Sequence, residues 1–98
     1  MAQLIWTEPA VRQLEAIVDY ISLDKPLAAK RVAQLVFEAT GNVERFKLIG
    51  RPIPEFPVSN YRQLWMNPCW IFYKITDGDV CILHVRRAES FFRIENLA

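Results

Sequence analysis

Residues 69–87 read CWIFYKITDGDVCILHVRR and predict two β-strands joined by a tight turn. The runs on either side of Asp77-Gly78 are rich in aromatic and β-branched residues, which favour strands. Asp-Gly is a preferred pair for a two-residue hairpin loop. We therefore predict an antiparallel hairpin made of residues 69–76 and 79–87.

This hairpin has a predictable register, in which Thr76 faces Asp79 and every later pair follows by equal steps along the two strands. One sheet face then carries Ile71, Tyr73, Ile75, Val80 and Ile82, with His84 opposite Ile71. The other face carries Trp70, Phe72, Cys81, Leu83 and Val85, with Lys74 and Arg87 at its ends. Both faces are apolar, whereas a monomeric antiparallel sheet normally leaves one face to water. We therefore expect a second cover for the sheet: the C-terminal tail, another subunit or a partner protein.

Upstream of the hairpin, residues 61–66 predict a third strand that ends at Asn67-Pro68. The segment 50–59 contains three prolines, which forbid a helix or a central strand. We therefore predict an irregular crossing loop there. The segment 88–98 is predicted to form a short helix or tail.

The first half of the chain predicts a short strand over residues 2–7 and two helices over residues 9–23 and 26–47. The apolar residues of both helices recur at intervals of three and four, which is the spacing of one helix face. In the first helix they are Val11, Leu14, Ile17, Val18 and Ile21. In the second they are Ala29, Val32, Val36, Ala39, Val43 and Phe46. The break between the helices is short, so we expect an antiparallel helical hairpin.

Composition limits the classes of function. The 98 residues form one predicted domain, 1–98, with 52% apolar residues and a net charge of +1. That balance lacks the basic face needed to grip duplex DNA, so we expect no sequence-specific nucleic acid binding. One histidine and two cysteines exclude a metal cluster or a disulfide scaffold, and we expect no cofactor. No membrane span or signal segment is evident, and we expect a cytoplasmic protein.

The order of strand, helix, helix, Pro-rich loop and three strands resembles the RelE/ParE toxin superfamily, which implies an α+β fold. The resemblance is carried along nearly the whole chain. Its segments are Ile5-Trp6-Thr7, Asp19-Tyr20-Ile21, Ala28-Ala29-Lys30-Arg31, Gly50-Arg51-Pro52-Ile53-Pro54-Glu55, Tyr61-Arg62-Gln63-Leu64, Ile71-Phe72-Tyr73-Lys74-Ile75 and Val80-Cys81-Ile82-Leu83-His84-Val85-Arg86-Arg87. The Ile-Trp-Thr start and the Gly-Arg-Pro-x-Pro-Glu loop are similar to the ParE branch.

Resemblance to that branch implies the toxin of a plasmid- or genome-stabilising toxin–antitoxin pair. Such a toxin inhibits DNA gyrase, most simply through its A subunit, and a ParD-like antitoxin silences it. The RelE branch instead cleaves messenger RNA in the ribosome, which needs a base, an acid and cations around one phosphate. Arg62 fills one basic position of that branch, and Arg86 or Arg87 matches another, but Trp70 occupies a third. Phe91 and Phe92 lie where a nuclease needs a tyrosine or histidine.

We therefore expect a non-enzymatic toxin with no catalytic residue, and keep an endoribonuclease or a binding module with another target as alternatives. We expect the lone His84 to be hydrogen-bonded at the edge of the core. The predicted antitoxin-binding residues are Trp70, Phe72, Leu83 and Val85. The predicted target-binding residues are Arg62, Arg86, Arg87, Phe91, Phe92 and Arg93. A structural alternative is that Phe91 and Phe92 only fold the tail over the sheet edge.

Overall fold

A computed structural model of the chain describes residues 3–55 and 60–88. Its elements are β1 Leu4–Trp6, α1 Glu8–Ser22, α2 Pro26–Arg45, β2 Arg51–Pro52, β3 Tyr61–Met66, β4 Cys69–Thr76 and β5 Asp79–Arg87. The strands form one mixed sheet in the order β1-β5-β4-β3-β2, and the helices pack on one of its faces. The α+β prediction is confirmed, whereas the predicted C-terminal helix lies outside the described residues.

Thr7 joins β1 to α1 and ties both to β5. β1 runs parallel to β5, with Trp6 facing Ile82. The Thr7 hydroxyl donates to the Ile82 carbonyl at 2.8 Å and accepts the Ala10 amide at 3.4 Å as the helix N-cap. One side chain therefore sets where the first strand ends and in which direction α1 leaves the sheet.

The predicted β4–β5 register is confirmed only for the half next to the turn. Asp77 and Gly78 have φ angles of 50° and 84°, as the predicted hairpin turn requires. The expected pairs hold as far as Tyr73 opposite Ile82, after which the register shifts and Phe72 faces His84. Leu83 is thus one extra residue, a β-bulge, and reverses the facing of the residues that follow.

The bulge overturns several predicted positions at the end of β5. Val85 faces Ile71 and lies in the core on the helix side, so its predicted place beside Phe72 is wrong. Trp70 faces Arg86 rather than Val85, and His84 does not face Ile71. Arg86, instead of Arg87, accompanies the Phe72 face.

The main core lies between the helices and the predicted sheet face. Its buried members are Ala10, Leu14, Ile17, Val32, Val36, Val43, Cys69, Ile71, Tyr73, Val80, Ile82 and Val85. Leu64 and Ile75 pack against it, as the face assignment predicts. Phe46 was expected in the seam of α2 but is 60% exposed, because the helix ends at Arg45 and Phe46 is its C-cap.

The opposite sheet face is partly covered by the Pro-rich segment. Ile53 packs on Phe72, and both side chains are 1% exposed. Arg51 and Pro52 form a two-residue strand at the sheet edge, a position where proline is tolerated. The prediction of a wholly irregular loop missed this strand. Across residues 3–55 and 60–88, neither helix has the length and apolar character needed to cross a membrane.

Candidate interaction surfaces

Two tryptophans form an aromatic wall on the sheet face away from the helices. Trp65 of β3 faces Trp70 of β4, and their ring centroids are 5.0 Å apart. Trp65 is 46% exposed. They border an open groove of about 570 Å³, which we call the tryptophan groove. Its lining residues are Ile49, Arg51, Gln63, Leu64, Trp65, Trp70 and Ala88.

The predicted antitoxin-binding residues separate into three kinds of position. Trp70 borders the tryptophan groove. Leu83 lies beside it on the same face, and Phe72, which is 1% exposed, is the floor of that face rather than a contact surface. Val85 belongs to the helix-side core. Of the predicted set, only Trp70 and Leu83 are therefore placed to meet a partner.

Arg86 lies on the Phe72 face and is held in place there. Its guanidinium carbon is 5.9 Å from the centroid of the Phe72 ring, and Nη1 donates to the carbonyls of Arg87 and Ala88 at 3.2 and 3.3 Å. Burial lowers the pKa of Arg86 from its ordinary value, but an arginine stays charged in proteins. The site therefore carries a fixed positive charge beside aromatic surface.

Arg87 lies on the other side of the sheet. Its guanidinium carbon is 4.1 Å from the centroid of the Tyr20 ring in the last turn of α1, which is cation–π distance. Tyr20 is 58% exposed. The two neighbouring arginines therefore present their charge on two different surfaces.

Arg62 is occupied by the backbone of the segment that follows α2. Its Nε donates to the Gly50 carbonyl at 2.9 Å, and its Nη2 reaches the Leu48 carbonyl at 3.5 Å. The neighbouring Tyr73 hydroxyl accepts the Gly50 amide at 2.9 Å and donates to the Lys47 carbonyl at 2.7 Å. Arg62 thus fixes a loop on the helix side and does not join Arg86 or Arg87 in one cluster.

Glycine is required at position 50 by the close packing around this loop. A Cβ there would lie 2.7 Å from the Tyr73 hydroxyl oxygen and 2.8 Å from the Gln63 carbonyl oxygen. Burial raises the pKa of Tyr73 above its ordinary value of 10.0, against smaller lowering effects of the Gly50 hydrogen bond and of Arg62. The phenol therefore stays protonated and structural.

His84 is fixed by Gln13 of α1. The Gln13 Oε1 accepts the Val85 amide at 2.8 Å, so its Nε2 is the group that meets His84 Nδ1, at 3.0 Å. An amide nitrogen donates, which makes Nδ1 the acceptor and places the imidazole proton on Nε2. Burial, and then the charge of Arg86, lower the pKa of His84 below 6.5. The prediction of a hydrogen-bonded histidine at the core edge is confirmed, although its facing residue is Phe72.

The structure adds Trp65, Tyr20 and Gln13 to the residues of interest, and places Arg51, already an alternative candidate on the Pro-rich loop, beside the tryptophan groove. Trp65 was within reach of sequence reasoning, because a strand ending at Asn67-Pro68 brings it opposite Trp70. The roles of Tyr20 and Gln13 depend on how α1 lies against β5, which no local pattern encodes. Phe91, Phe92 and Arg93 lie outside the described residues.

Comparison with known proteins agrees with this architecture. The sequence model of the ParE toxin of type II toxin–antitoxin system, parDE, matches residues 4–90. The chain is 35% identical over 89 residues to Toxin RelE2 of Caulobacter vibrioides, covering 90% of this chain and 97% of that relative.

Two solved structures share the fold. One, described as the chromosomal ParDE TA system from P. aeruginosa, superposes with a TM-score of 0.71 at 26% identity, covering 91% of this chain and 98% of that one. The other is the toxin–antitoxin complex RelBE2 from Mycobacterium tuberculosis, with a TM-score of 0.60 at 21% identity, covering 88% and 96%. The second likeness supports the fold alone. On the match over residues 4–90 and the relative in Caulobacter, the chain belongs to the ParE toxin family of type II toxin–antitoxin systems within the RelE/ParE superfamily.

Proposed function

We propose that this toxin inhibits DNA gyrase by binding it, through the A subunit, without catalysing a reaction, and that a ParD-like antitoxin neutralises it. Family membership supports a toxin–antitoxin role. The similar chain from P. aeruginosa belongs to a ParDE system. The choice between binding and catalysis rests on the arrangement of the arginines.

The separation of Arg62, Arg86 and Arg87 is the observation that carries the proposal. Cleavage of RNA by its own 2′-hydroxyl requires cations that converge on one phosphate. Arg62 is bonded to carbonyls on the helix side, Arg86 lies over Phe72 on the opposite face, and Arg87 lies over Tyr20. These three side chains of the described region therefore form no common phosphate cradle.

The acid–base groups nearest to these arginines also have structural tasks. The Tyr73 hydroxyl accepts one hydrogen bond and donates another, and its raised pKa opposes ionisation. The Nδ1 atom of His84 is engaged by Gln13. Tyr73 adjoins Arg62 on the helix side of the sheet, and His84 adjoins Arg86 on the opposite face, so the two groups are separated by the sheet. This arrangement favours a toxin that acts by binding.

We propose that the target contacts both sides of the end of β5, through Arg86 on one side and Arg87 on the other, together with the tail residues Phe91, Phe92 and Arg93. Arginine and aromatic side chains are the commonest anchors of tight protein interfaces. Arg86 and Arg87 each keep a fixed charge beside an aromatic ring. Arg62 is left out of this surface because its donors are used by the loop.

Two assays run side by side test the proposal. The purified chain is added to a gyrase supercoiling reaction and to an in vitro translation reaction in which messenger RNA integrity is followed. We expect loss of supercoiling, intact messenger RNA, and recovery when the cognate antitoxin is added. The Arg86→Ala variant should lose inhibition, whereas Arg31→Ala on the exposed side of α2 should keep it.

The alternatives have separate signatures in the same pair of assays. Cleaved messenger RNA with unaffected supercoiling would establish the endoribonuclease. A chain that affects neither reaction yet binds the antitoxin would be a binding module with another target. Either result contradicts the gyrase proposal.

A further inference from the structure

The outer edge of β3 is covered for only part of its length. β2 contributes two pairs, Arg51 with Gln63 and Pro52 with Arg62, whereas β3 continues to Met66. Among residues 3–55 and 60–88, no strand pairs with β3 on this side beyond Gln63. A short stretch of sheet edge therefore borders the tryptophan groove.

The main chain of Trp65 points out of this edge. The Gln63 carbonyl is directed to the β2 side, since its oxygen would lie 2.8 Å from a Cβ at Gly50. In an antiparallel strand, every second residue directs both its N–H and its C=O to the same side. Trp65 follows Gln63 by two positions, so its N–H and C=O point outward beyond Arg51, the first residue of β2, on the side where Ile49 lines the groove.

The main chain of β5 is also left without a neighbouring strand beyond the end of β1, but side chains cover it there. β1 pairs with β5 only as far as Ile82. Beyond it, the Thr7 hydroxyl lies 3.4 Å from the Leu83 carbonyl, and Gln13 accepts the Val85 amide at 2.8 Å. An added strand would have to displace both groups there. Edge addition is therefore favoured at β3.

The surroundings of Trp65 indicate the chemistry of the added segment. Apolar surface comes from Ile49, Trp65 and Trp70, and Arg51 carries the one charge among the described groove-lining residues. A residue placed opposite Trp65 would project its side chain to the same face as Trp65. An apolar side chain there enters the groove, and a nearby carboxylate meets Arg51.

We propose that an extended apolar and acidic segment of the antitoxin adds as a strand to the outer edge of β3, bonded to the main chain of Trp65. It continues the sheet beyond Arg51, the first residue of β2, towards the end of β3 at Met66. One apolar side chain packs between Ile49, Trp65 and Trp70, and one carboxylate pairs with Arg51. This inference rests on the antitoxin part of the proposed function and specifies how and where that partner binds.

The test uses the full toxin chain, the intact cognate antitoxin and overlapping synthetic peptides that cover the C-terminal half of the antitoxin. Trp65→Ala removes the side chain, whereas Trp65→Pro also removes the outward N–H, a change that an edge strand tolerates. We expect Trp65→Ala to lower the affinity for the tightest-binding peptide by about tenfold. Trp65→Pro should lower that affinity by a further factor of about five. Circular dichroism and thermal melting check that both variants fold.

Two further measurements keep the test independent of the proline variant. Arg51→Glu should lower the affinity for the peptide by about tenfold, because the new carboxylate repels that of the peptide. Arg31→Glu makes the same charge change on α2 and should leave the affinity for the peptide unchanged. In the wild-type complex, hydrogen exchange at the Trp65 amide should slow by about tenfold or more, because that N–H becomes bonded.

Each contrary result has a definite meaning. If the intact antitoxin binds every variant equally and the Trp65 amide stays unprotected, strand addition here is wrong while the antitoxin partnership stands. If neither antitoxin nor peptides bind, both proposals fail. Binding that requires removal of residues 89–98 would show that the toxin's own tail occupies the edge. Loss of self-association in the Trp65 variants would instead assign the edge to a second copy, and both results overturn the inference.

Discussion

The guanidinium of Arg87, the last residue of β5, lies 4.1 Å from the centre of the Tyr20 ring in the last turn of α1. The contact joins the end of the sheet to the end of the first helix. Tyr20 is 58% exposed, so this attachment lies at the surface and not within the core.

Replacing Tyr20 by Leu should lower the free energy of unfolding by about 0.5–1 kcal/mol, the usual contribution of a cation–π contact at an exposed site. Tyr20→Phe keeps the aromatic face and should leave stability nearly unchanged. Urea unfolding of the three proteins provides the comparison. Equal losses in both variants would show that the hydroxyl, and not the ring, matters.

Two glycines should respond to alanine in opposite directions. Gly50→Ala drives a Cβ to within 2.7 Å of the Tyr73 hydroxyl oxygen, and we expect a loss of about 1–3 kcal/mol from this overpacking. Gly41→Ala meets nothing within 4 Å inside α2 and should raise stability by up to about 1 kcal/mol. Thermal melting of both variants measures the signs. A neutral Gly50→Ala would mean that the loop after α2 shifts freely.

Stability should fall as the pH is lowered through the titration of His84. Its pKa in the folded chain is below the ordinary 6.5, through burial and then Arg86, so the unfolded chain binds the proton more readily. The contribution is complete above about pH 6.5 and is lost progressively as the pH approaches the lowered folded value. Urea unfolding between about pH 7 and 5.5 should show this slope, and His84→Gln should flatten it. An unchanged slope in the variant would assign the effect to other groups.

Truncation after Arg87 separates the two interpretations of the C-terminal residues. If Phe91, Phe92 and Arg93 bind the target, the shortened chain should remain folded and bind antitoxin but lose gyrase inhibition. Circular dichroism, calorimetry with the antitoxin and the supercoiling assay follow the three properties. An unfolded product would make the tail structural. A folded and fully inhibitory product would move the target surface to the Pro-rich loop with Arg51.

The strands and helices were predictable because their signals are local. Asp77-Gly78 placed the hairpin, and the strands 61–66, 69–76 and 79–87 have the predicted bounds. The bulge left no such signal, because Leu83 and Val85 continue an apolar alternation that looks uninterrupted. Its stabilising contacts come from Thr7 and Gln13, more than seventy positions earlier in the chain.

The candidate surfaces were less predictable than the fold for the same reason. Trp70 lies at the groove, on the sheet face where the sequence placed it, but its neighbour Trp65 is identified only when β3 and β4 are aligned. Arg62 carries the same charge as Arg86, and composition cannot distinguish an arginine that is hydrogen-bonded to loop carbonyls from one that is available to a partner. The difference lies in the carbonyls of Leu48 and Gly50, which the segment after α2 brings to the Arg62 guanidinium.

The bulge at Leu83 also affects how the gene tolerates change. Side chains alternate along a strand, so one residue more or fewer inverts every later position. Leu83 is already one residue more than β4 can match, so loss of its codon would remove the bulge and leave His84 opposite Phe72, Val85 opposite Ile71 and Arg86 opposite Trp70. The bulge is therefore a position at which this strand can lose a codon without exchanging the environments of the residues from His84 to Arg87.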